Sequence, residues 1–447
     1  MDDRILSGVP KLMPSRVFAW LTVCAALVVA PPARAQEGEG ERPTVIVSEA
    51  GGRTFAIATQ EFGGSGVDTA KFRTDIDDAL DFSSLFRALD PAAFLGPRKT
   101  AALADSVDCA SWRQIGADAF LEGVANGSAI DVRAWDVARC RAALTRSYRV
   151  GGDARRTARR IADDVVEAFT GRRGVASTEI AYVSTESGHP EIHVMDADGG
   201  SQRAATRNKS INSFPAWSPD GNAIVYMSYL FNRSPHLFRL VRGGSEKPGR
   251  MLQGLDATRA VYRAVYAPNG ARLAVVISID GAPEIFTSDA DGQNLRRLTN
   301  HKAIDVSPTW SPDGSRIAFV SDRTGAPQIY VMNADGSGQR RLSFEGSYNT
   351  APAWSPDGRL IAYETRVAGQ FDIWLLDPDS GASKPLVTNP RTDEHPSWAP
   401  DSRLLAFHSA RRGKKDVYVV DLDGENARRL TTGAGENTQP CWGPYPR

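Results

Sequence analysis

The chain contains two regions with different patterns of hydrophobic and polar positions. From about residue 180 onward, short runs of β-branched and aromatic residues alternate with Asp/Gly turns. A motif of the form Pro-x-Trp-Ser-Pro-Asp-Gly recurs there six times, intact or degraded, and its aromatic residues are 49 residues apart once and 44 apart four times. These aromatic positions are Trp217, Tyr266, Trp310, Trp354, Trp398 and Trp442. A period near 44 with four short strands per repeat predicts an all-β six-bladed β-propeller over residues 176–447.

The order of these strands also predicts how the propeller closes. The repeat region opens with the strand-like run Ile180–Val183, which no aromatic turn precedes, and the missing inner strand lies at Thr438–Trp442. One blade should therefore combine a C-terminal inner strand with three strands from residues 180–207. Such an overlap removes free sheet edges and favours the closed ring.

Residues 43–172 predict an N-terminal α/β domain. Its candidate strands, which we expect in one sheet, are Thr44–Val47, Thr54–Ala58, Ala119–Val124 and Ile130–Asp136. Apolar residues at helical spacing predict a first helix over Ala70–Phe86 and a second over Ala154–Phe169. The second helix should have a polar stripe formed by Arg155, Arg156, Arg159, Asp163 and Asp164. Residues 171–174 predict a short hinge.

The first 35 residues have the pattern of a secretory signal peptide. Lys11 and Arg16 precede the uncharged apolar run Val17–Ala30, and Ala33-Arg34-Ala35 predicts cleavage before Gln36. The apolar run is shorter than the roughly 20 residues of a spanning helix and no later segment is long enough, so the mature protein should contain no transmembrane segment. Lipidation at Cys24 is a less favoured alternative, because this cysteine follows Val23 and not a small residue.

The cysteines and the charge balance bear on disulfide formation and on the possible partners. After cleavage Cys109, Cys140 and Cys441 remain, and the sequence leaves open whether Cys109 and Cys140 form a disulfide or stay unpaired. Lys+Arg and Asp+Glu number 53 each. A chain with this balance lacks the basic surface that binding to nucleic acid or to an anionic membrane requires.

The sequence predicts no enzyme, no cofactor and no metal site. It contains no Gly-x-Ser-x-Gly elbow, and it lacks the roughly 200 further residues that the catalytic domain of a propeller peptidase would need. The six histidines are expected at strand or loop surface positions. Turns such as Asp421-Leu422-Asp423-Gly424 lack the remaining ligands of a calcium loop and are typical of hairpins.

Three segments outside the repeated turns carry a family resemblance. They are Trp112-Arg113-x-x-Gly116-Ala117-Asp118-Ala119, the predicted helix from Ile161 to Gly171, and Thr178–Val183. With these segments the chain resembles the TolB family, the periplasmic propeller proteins of the Tol-Pal cell-envelope system. The resemblance implies an α/β domain that faces TolA, and a propeller that holds the lipoprotein Pal. The implied role is outer-membrane constriction during cell division and envelope integrity, with other outer-membrane proteins as further partners.

In this family the segment after the signal peptide is a switchable epitope for TolA, which corresponds here to a flexible arm at residues 36–51. The arm begins with the acidic, apolar-poor run Gln36–Glu41. Its β-prone part, able to add to a sheet edge, consists of Thr44, Val45, Ile46, Val47 and Ser48. An ordinary frayed terminus followed by a first strand is the alternative.

Pal in this family docks at one mouth of the propeller channel, on loops that precede the Pro-x-Trp motif. The corresponding residues here are Arg263, Asp305, Ser307, Asn349, Thr350, Glu394, His395, Asn437 and Gln439. They differ from blade to blade, as recognition of an asymmetric partner requires. A periplasmic propeller that binds or hydrolyses a small molecule in its channel is the competing interpretation.

Overall fold

The structure is a computed structural model that describes residues 54–446 apart from 244–248, 253, 257, 280 and 426. The predicted signal peptide, the predicted arm and the candidate strand Thr44–Val47 lie outside the described residues.

The N-terminal region forms a mixed sheet covered by helices. Its elements are β1 (Phe55–Thr59), β2 (Gly63–Ser65), α1 (Thr69–Phe82), β3 (Phe86–Ala88), a 3-10 turn (Pro91–Ala93), α2 (Cys109–Gln114), β4 (Ala119–Asn126), β5 (Ala129–Asp136), β6 (Arg141–Arg149) and α3 (Ala154–Thr170). The sheet order is β3-β1-β4-β5-β6, and β2 also pairs with β4. Helices α1 and α3 bury their apolar faces against this sheet. The α/β fold and the strands predicted within residues 54–136 are confirmed, whereas β2, β3, β6 and α2 were not predicted.

The first helix is shorter than predicted, because it ends at Phe82 and not at Phe86. Ser83 ends the helix by donating from its hydroxyl to the Leu80 carbonyl, and Ser84 adopts a left-handed φ of 58°. The chain then turns back, and Phe86 pairs in parallel with Phe55 of β1. Helical spacing of apolar residues alone could not reveal this reversal, since Phe86 is buried in either conformation.

The second helix runs over Ala154–Thr170 as predicted, but its polar stripe is wrong at two positions. Arg159 and Asp163 are only 3% and 1% exposed. The Asp163 carboxylate accepts hydrogen bonds from the backbone N–H groups of Ala176 and Ser177. The predicted hinge at residues 171–174 also contacts Asp163, because the Gly174 N–H donates to the Asp163 carbonyl. The contact is close, since a Cβ at Gly174 would lie 2.6 Å from Asp163 Oδ1. None of the described helices is long and apolar enough to cross a membrane.

The C-terminal region consists of six four-stranded antiparallel sheets arranged as the blades of a propeller, which confirms the predicted fold class. The first blade contains β7 (Glu179–Ser184), β8 (Glu191–Asp196) and β9 (Arg203–Ala204). The second contains β10 (Asn212–Trp217), β11 (Ala223–Ser228), β12 (His236–Val241) and β13 (Gly249–Arg250). The third contains β14 (Val261–Tyr266), β15 (Arg272–Ile279), β16 (Ala282–Asp289) and β17 (Arg296–Arg297).

The remaining blades follow the same order. The fourth contains β18 (Asp305–Trp310), β19 (Arg316–Ser321), β20 (Gln328–Asn333) and β21 (Arg340–Arg341). The fifth contains β22 (Asn349–Trp354), β23 (Ile361–Val367), β24 (Gln370–Leu376) and β25 (Ser383–Val387). The sixth contains β26 (Asp393–Trp398), β27 (Leu404–Ser409), β28 (Asp416–Asp421) and β29 (Arg428–Arg429). The last strand, β30 (Asn437–Trp442), returns to the first blade.

The ring closes as the sequence predicted. β30 is the inner strand of the first blade and pairs with β7, with Asn437 opposite Ser184 and Trp442 opposite Ile180. The repeated tryptophans then pack between adjacent blades. Trp354, for example, is 7% exposed and lies in one apolar cluster with Val320 of the preceding blade.

Candidate functional site

The inner strands of the six blades surround a central channel and share one direction. They end towards the α/β domain, where the Arg403 guanidinium donates to the Ser83 carbonyl over 3.3 Å and the Trp442 ring lies 6.5 Å from that of Phe82. Their first residues therefore lie at the opposite end of the channel. We call that end the distal mouth, defined by the first three residues of each inner strand.

The third residues of the inner strands form a ring around the channel, here called the channel ring. Its members are Phe214, Arg263, Ser307, Ala351, His395 and Gln439. All but Arg263 have a φ between 46 and 54°, lie at a break in the strand register and precede a proline. A β-bulge re-aims its residue, so the bulge and not the alternation of the strand determines what faces the channel.

The first residues of the inner strands have a different role from the one expected. Asp305 and Asn349 are 0% exposed and Asn437 is 4% exposed, so their side chains lie inside the propeller. The Asn349 amide donates to Gln328 Oε1 over 2.8 Å and that of Asn437 to Asp416 Oδ1 over 3.1 Å, which ties each inner strand to the preceding blade. Asp305 forms an ion pair with an arginine of its own blade. These three side chains are therefore unavailable to a partner.

The other predicted contact residues are accessible from the distal mouth. Thr350 and Glu394 are second residues of their strands and are partly exposed, as is Ser307 of the channel ring. Arg263, His395 and Gln439 line a cavity of about 200 Å³ in the channel, together with the proline-rich inner strands. The structure thus brings six of the predicted residues to one surface.

A buried charge network lies behind the ring on the fifth and sixth blades. Glu394 accepts from the Lys415 ammonium over 2.6 Å and from His408 Nε2 over 3.1 Å. His408 Nδ1 in turn accepts from the Gln439 N–H over 3.4 Å, which places the proton of a neutral His408 on Nε2. Burial acts to raise the pKa of Glu394, but the hydrogen bonds from His408 and Lys415 lower it to about 2. Glu394 is therefore ionised and already paired.

The neighbouring Glu364 has the opposite charge state. Burial, and then the nearby Glu394 carboxylate, raise the pKa of Glu364 to about 8. Its Oε2 accepts from the His395 N–H over 3.3 Å. Burial, and then His408, hold the pKa of His395 well below its usual value, and its Nδ1 is buried without a hydrogen-bond partner. At neutral pH both side chains are therefore uncharged.

The histidines correct one expectation from the sequence. His193, His236 and His408 are 8%, 3% and 2% exposed, so they are buried and not at the surface. Within the described residues no group of three or more His, Cys, Asp or Glu side chains could hold a metal ion.

An exposed apolar feature at the distal mouth was missed from the sequence. Ile211, Ile304 and Tyr348 each immediately precede an inner strand and are 49%, 46% and 38% exposed. We call these three residues the apolar rim. The same position is polar in the last two inner strands, where it is Thr392 or Glu436. Comparison of the repeats at this position would have revealed the rim, because a solvated loop rarely needs three large apolar residues at equivalent places.

The cysteines separate into a bonded pair and an unpaired residue. The sulfurs of Cys109 and Cys140 form a disulfide, with a Cα–Cα distance of 5.8 Å, between α2 and the turn before β6. Cys441 is unpaired and lines the channel cavity, where burial raises the pKa of its thiol. The predicted TolA-binding residues Thr44 to Ser48 lie outside the described residues.

Comparison with known proteins identifies the family. A family model described as the TolB amino-terminal domain matches residues 43–143, and one described as the TolB beta propeller domain matches residues 166–446. A Tol-Pal system protein TolB from Anaeromyxobacter sp. (strain K) is 39% identical, over 65% of this chain and 67% of its own length. One from Anaeromyxobacter dehalogenans (strain 2CP-1 / ATCC BAA-258) is 40% identical, over 64% and 65%.

The matched segments thus span about two thirds of these relatives. The crystal structure of TolB from Acinetobacter baumannii has the same fold, with a TM-score of 0.74 at 22% identity, over 88% of this chain and 97% of that chain. The two domain matches together cover most of the chain, and the chain therefore belongs to the TolB family of the Tol-Pal system.

Proposed function

We propose that this protein is a periplasmic, non-catalytic scaffold that binds Pal at the distal mouth of the propeller and TolA through its N-terminal arm. In this role it would couple the two partners during outer-membrane constriction at cell division and in maintaining the envelope. Membership of the TolB family is the basis of the proposal.

The observation that carries the Pal assignment is the asymmetry of the distal mouth. Three blades present the apolar rim, whereas the last two inner strands present polar residues at the same position. The channel ring likewise contains six different residue types. Exposed apolar residues with a polar surround are typical of protein-binding surfaces, and a surface that breaks the symmetry of the repeat can fix the orientation of its partner.

The arm assignment rests on its composition and on family membership. Residues 36–51 combine an acidic run with a β-prone segment, which suits a peptide that adds to a partner's sheet edge. The arm and the propeller mouth would then bind TolA and Pal independently.

A small molecule in the channel is the second candidate, and the cavity of about 200 Å³ is the observation in its favour. Two features argue against catalysis there. Glu394 is already paired with Lys415 and His408, and burial raises the pKa of the Cys441 thiol, which keeps it from acting as a thiolate nucleophile.

Titration calorimetry with purified soluble domains of Pal and TolA from the same organism tests the proposal. The protein should be compared as residues 36–447 and as a version lacking residues 36–51. Pal should bind both versions with similar affinity, and TolA only the longer one. Absence of Pal binding to both versions would overturn the propeller assignment, and equal TolA binding would overturn the arm assignment.

The distal mouth is tested separately with surface variants. Replacement of Ile211, Ile304 and Tyr348 together by serine should weaken Pal binding at least tenfold, because buried apolar contacts would be lost. The matched control replaces Val241 and Leu295 by serine. These residues are 46% and 37% exposed and lie at the other end of their blades, so Pal affinity should not change.

A further inference from the structure

Arg263 occupies the channel cavity without an anionic partner. No hydrogen bond or ion pair of its guanidinium occurs in the described part of the chain, and Cζ lies 5.7 Å from the centre of the Phe214 ring. Two arginines of the fourth and sixth blades are paired, by contrast, since Arg323 lies 2.9 Å from Asp305 and Arg411 3.2 Å from Asp393. Burial disfavours the charged form of Arg263 and lowers its pKa, a cost that a bound anion would offset.

The surroundings of Arg263 contain no free negative charge. No carboxylate is among the described residues that line the cavity. Glu364 lies behind the lining and is protonated at neutral pH, since its pKa is about 8. The Glu394 carboxylate is already neutralised by Lys415 and His408. The cavity therefore carries one uncompensated positive charge at physiological pH.

The arrangement of side chains around Arg263 suits the binding of a carboxylate group. The Arg263 guanidinium lies over the Phe214 ring, and a guanidinium can donate two parallel hydrogen bonds to one carboxylate. His395 stacks on the same ring, with 6.1 Å between centroids, and offers its unpartnered Nδ1 as a second polar group. Prolines and tryptophans form much of the remaining lining, so water competes weakly for the charge.

We propose that Arg263 is the receptor for one acidic side chain, an aspartate or glutamate, which the protein partner inserts into the channel through the distal mouth. This inference rests on the proposed function and names the chemistry of its Pal-binding site. A protein side chain fits better than a free carboxylate, because the apolar rim beside the cavity offers a surface for the rest of the partner to cover.

The test compares Arg263→Gln and Arg263→Lys with the wild type in titrations with the soluble Pal domain. Arg263→Gln should weaken binding roughly 30-fold or more and flatten its salt dependence, since a buried charge pair would be lost. Arg263→Lys should keep the salt dependence but bind more weakly, because an ammonium cannot form the bidentate pair. Arg272→Gln is the matched control: this exposed arginine lies 5.6 Å from the Trp310 ring and should not affect binding.

A scan of the acidic residues on the Pal domain should then identify one whose amide variant binds weakly. That variant and Arg263→Gln together should weaken binding no more than either alone. Loss of Arg263 should not lower the thermal midpoint, since no hydrogen bond or ion pair in the described chain is lost and the cost of burying an unpaired charge is removed, so the folded state of each variant can be verified.

The other possible results of these titrations distinguish a failure of the proposed function from a failure of the inference about Arg263. A wild type that does not bind Pal overturns the proposed function and this occupant with it. Equal Pal affinity of wild type and Arg263→Gln overturns the inference alone. If acetate raises the thermal midpoint of the wild type but not of Arg263→Gln, while Pal affinity is independent of residue 263, the site binds a free carboxylate and not a side chain.

Discussion

Arg159 of α3 and Asp198 of the first blade form an ion pair across the boundary between the α/β domain and the propeller. Arg159 Nη2 lies 2.9 and 2.8 Å from the two Asp198 carboxylate oxygens, and the arginine side chain is only 4% exposed. Because the two residues belong to different domains, this pair restricts how the domains can move relative to each other.

Replacement of Arg159 by alanine should destabilise the protein by about 1–3 kcal/mol, since it removes the ion pairs with the partly exposed Asp196 and Asp198 carboxylates, while Asp198 keeps its pair with Arg155. Thermal unfolding followed by calorimetry would measure the change. Arg156→Ala on the same helix is the control, because its side chain is 68% exposed and should contribute about 0–1 kcal/mol. Similar midpoints for both variants would contradict a structural role for the pair.

Substitutions of two adjacent residues of β22, Asn349 and Thr350, should affect protein stability and Pal affinity separately. Asn349→Ala should destabilise the protein by about 1–3 kcal/mol, because it removes buried hydrogen bonds from the Asn349 amide to Gln328 Oε1, Ser343 Oγ and the Glu345 carbonyl. It should leave the Pal affinity of the folded protein unchanged. Thr350→Ala should do the reverse, with little effect on the midpoint and a measurable loss of affinity by titration. Impaired Pal binding in a fully folded Asn349→Ala would contradict this division.

Glu364 should make the stability of the protein depend on pH. Its pKa is about 8 in the folded state, against 4.5 for an ordinary glutamate, so the folded state binds the proton more tightly than the unfolded state. The contribution of this group is therefore fully present below about pH 4.5 and is lost as the pH rises through 8. Glu364→Gln should remove this dependence and raise the thermal midpoint at pH 8, with little change at pH 4.5. Parallel midpoint-against-pH curves for the two proteins would show that Glu364 titrates normally.

Trp354 should be a structural residue of the propeller. It is 7% exposed between two blades, and its indole N–H donates to the Gly358 carbonyl over 3.1 Å. Trp354→Ala should therefore cost about 3–5 kcal/mol, and Trp354→Phe clearly less. An unchanged denaturation midpoint for the alanine variant would refute this role.

The sequence predicted the features that depend on periodicity. It did not predict which polar side chains are buried, because contacts between distant segments determine their burial. The period of the Pro-x-Trp turns was sufficient to predict the six blades and the closure of the ring by β30. The buried positions of Arg159 and Asp163 could not be predicted, because their partners lie on other elements more than ten residues away. A helical polar stripe normally faces solvent, and here two of its residues, Arg155 and Arg159, face the propeller.

The sequence predicted that the candidate residues come together at one end of the channel. It did not predict which of their side chains are exposed there. The loops before the Pro-x-Trp motif do converge at one end of the channel, but neighbouring residues there have opposite roles. Asn349 points into the blades, whereas Ala351, two positions on, lies at a bulge and lines the cavity. Regular alternation along a strand would put both side chains on one face, so only the bulged backbone explains their separation.

The pairing of β30 with β7 determines when the propeller can complete its fold. Their partners are more than 250 residues apart, and the first blade lacks its inner strand until residues 437–442 have been made. A chain emerging residue by residue therefore carries an unfinished blade for nearly the whole of its synthesis. Completion of the ring has to wait for the final strand.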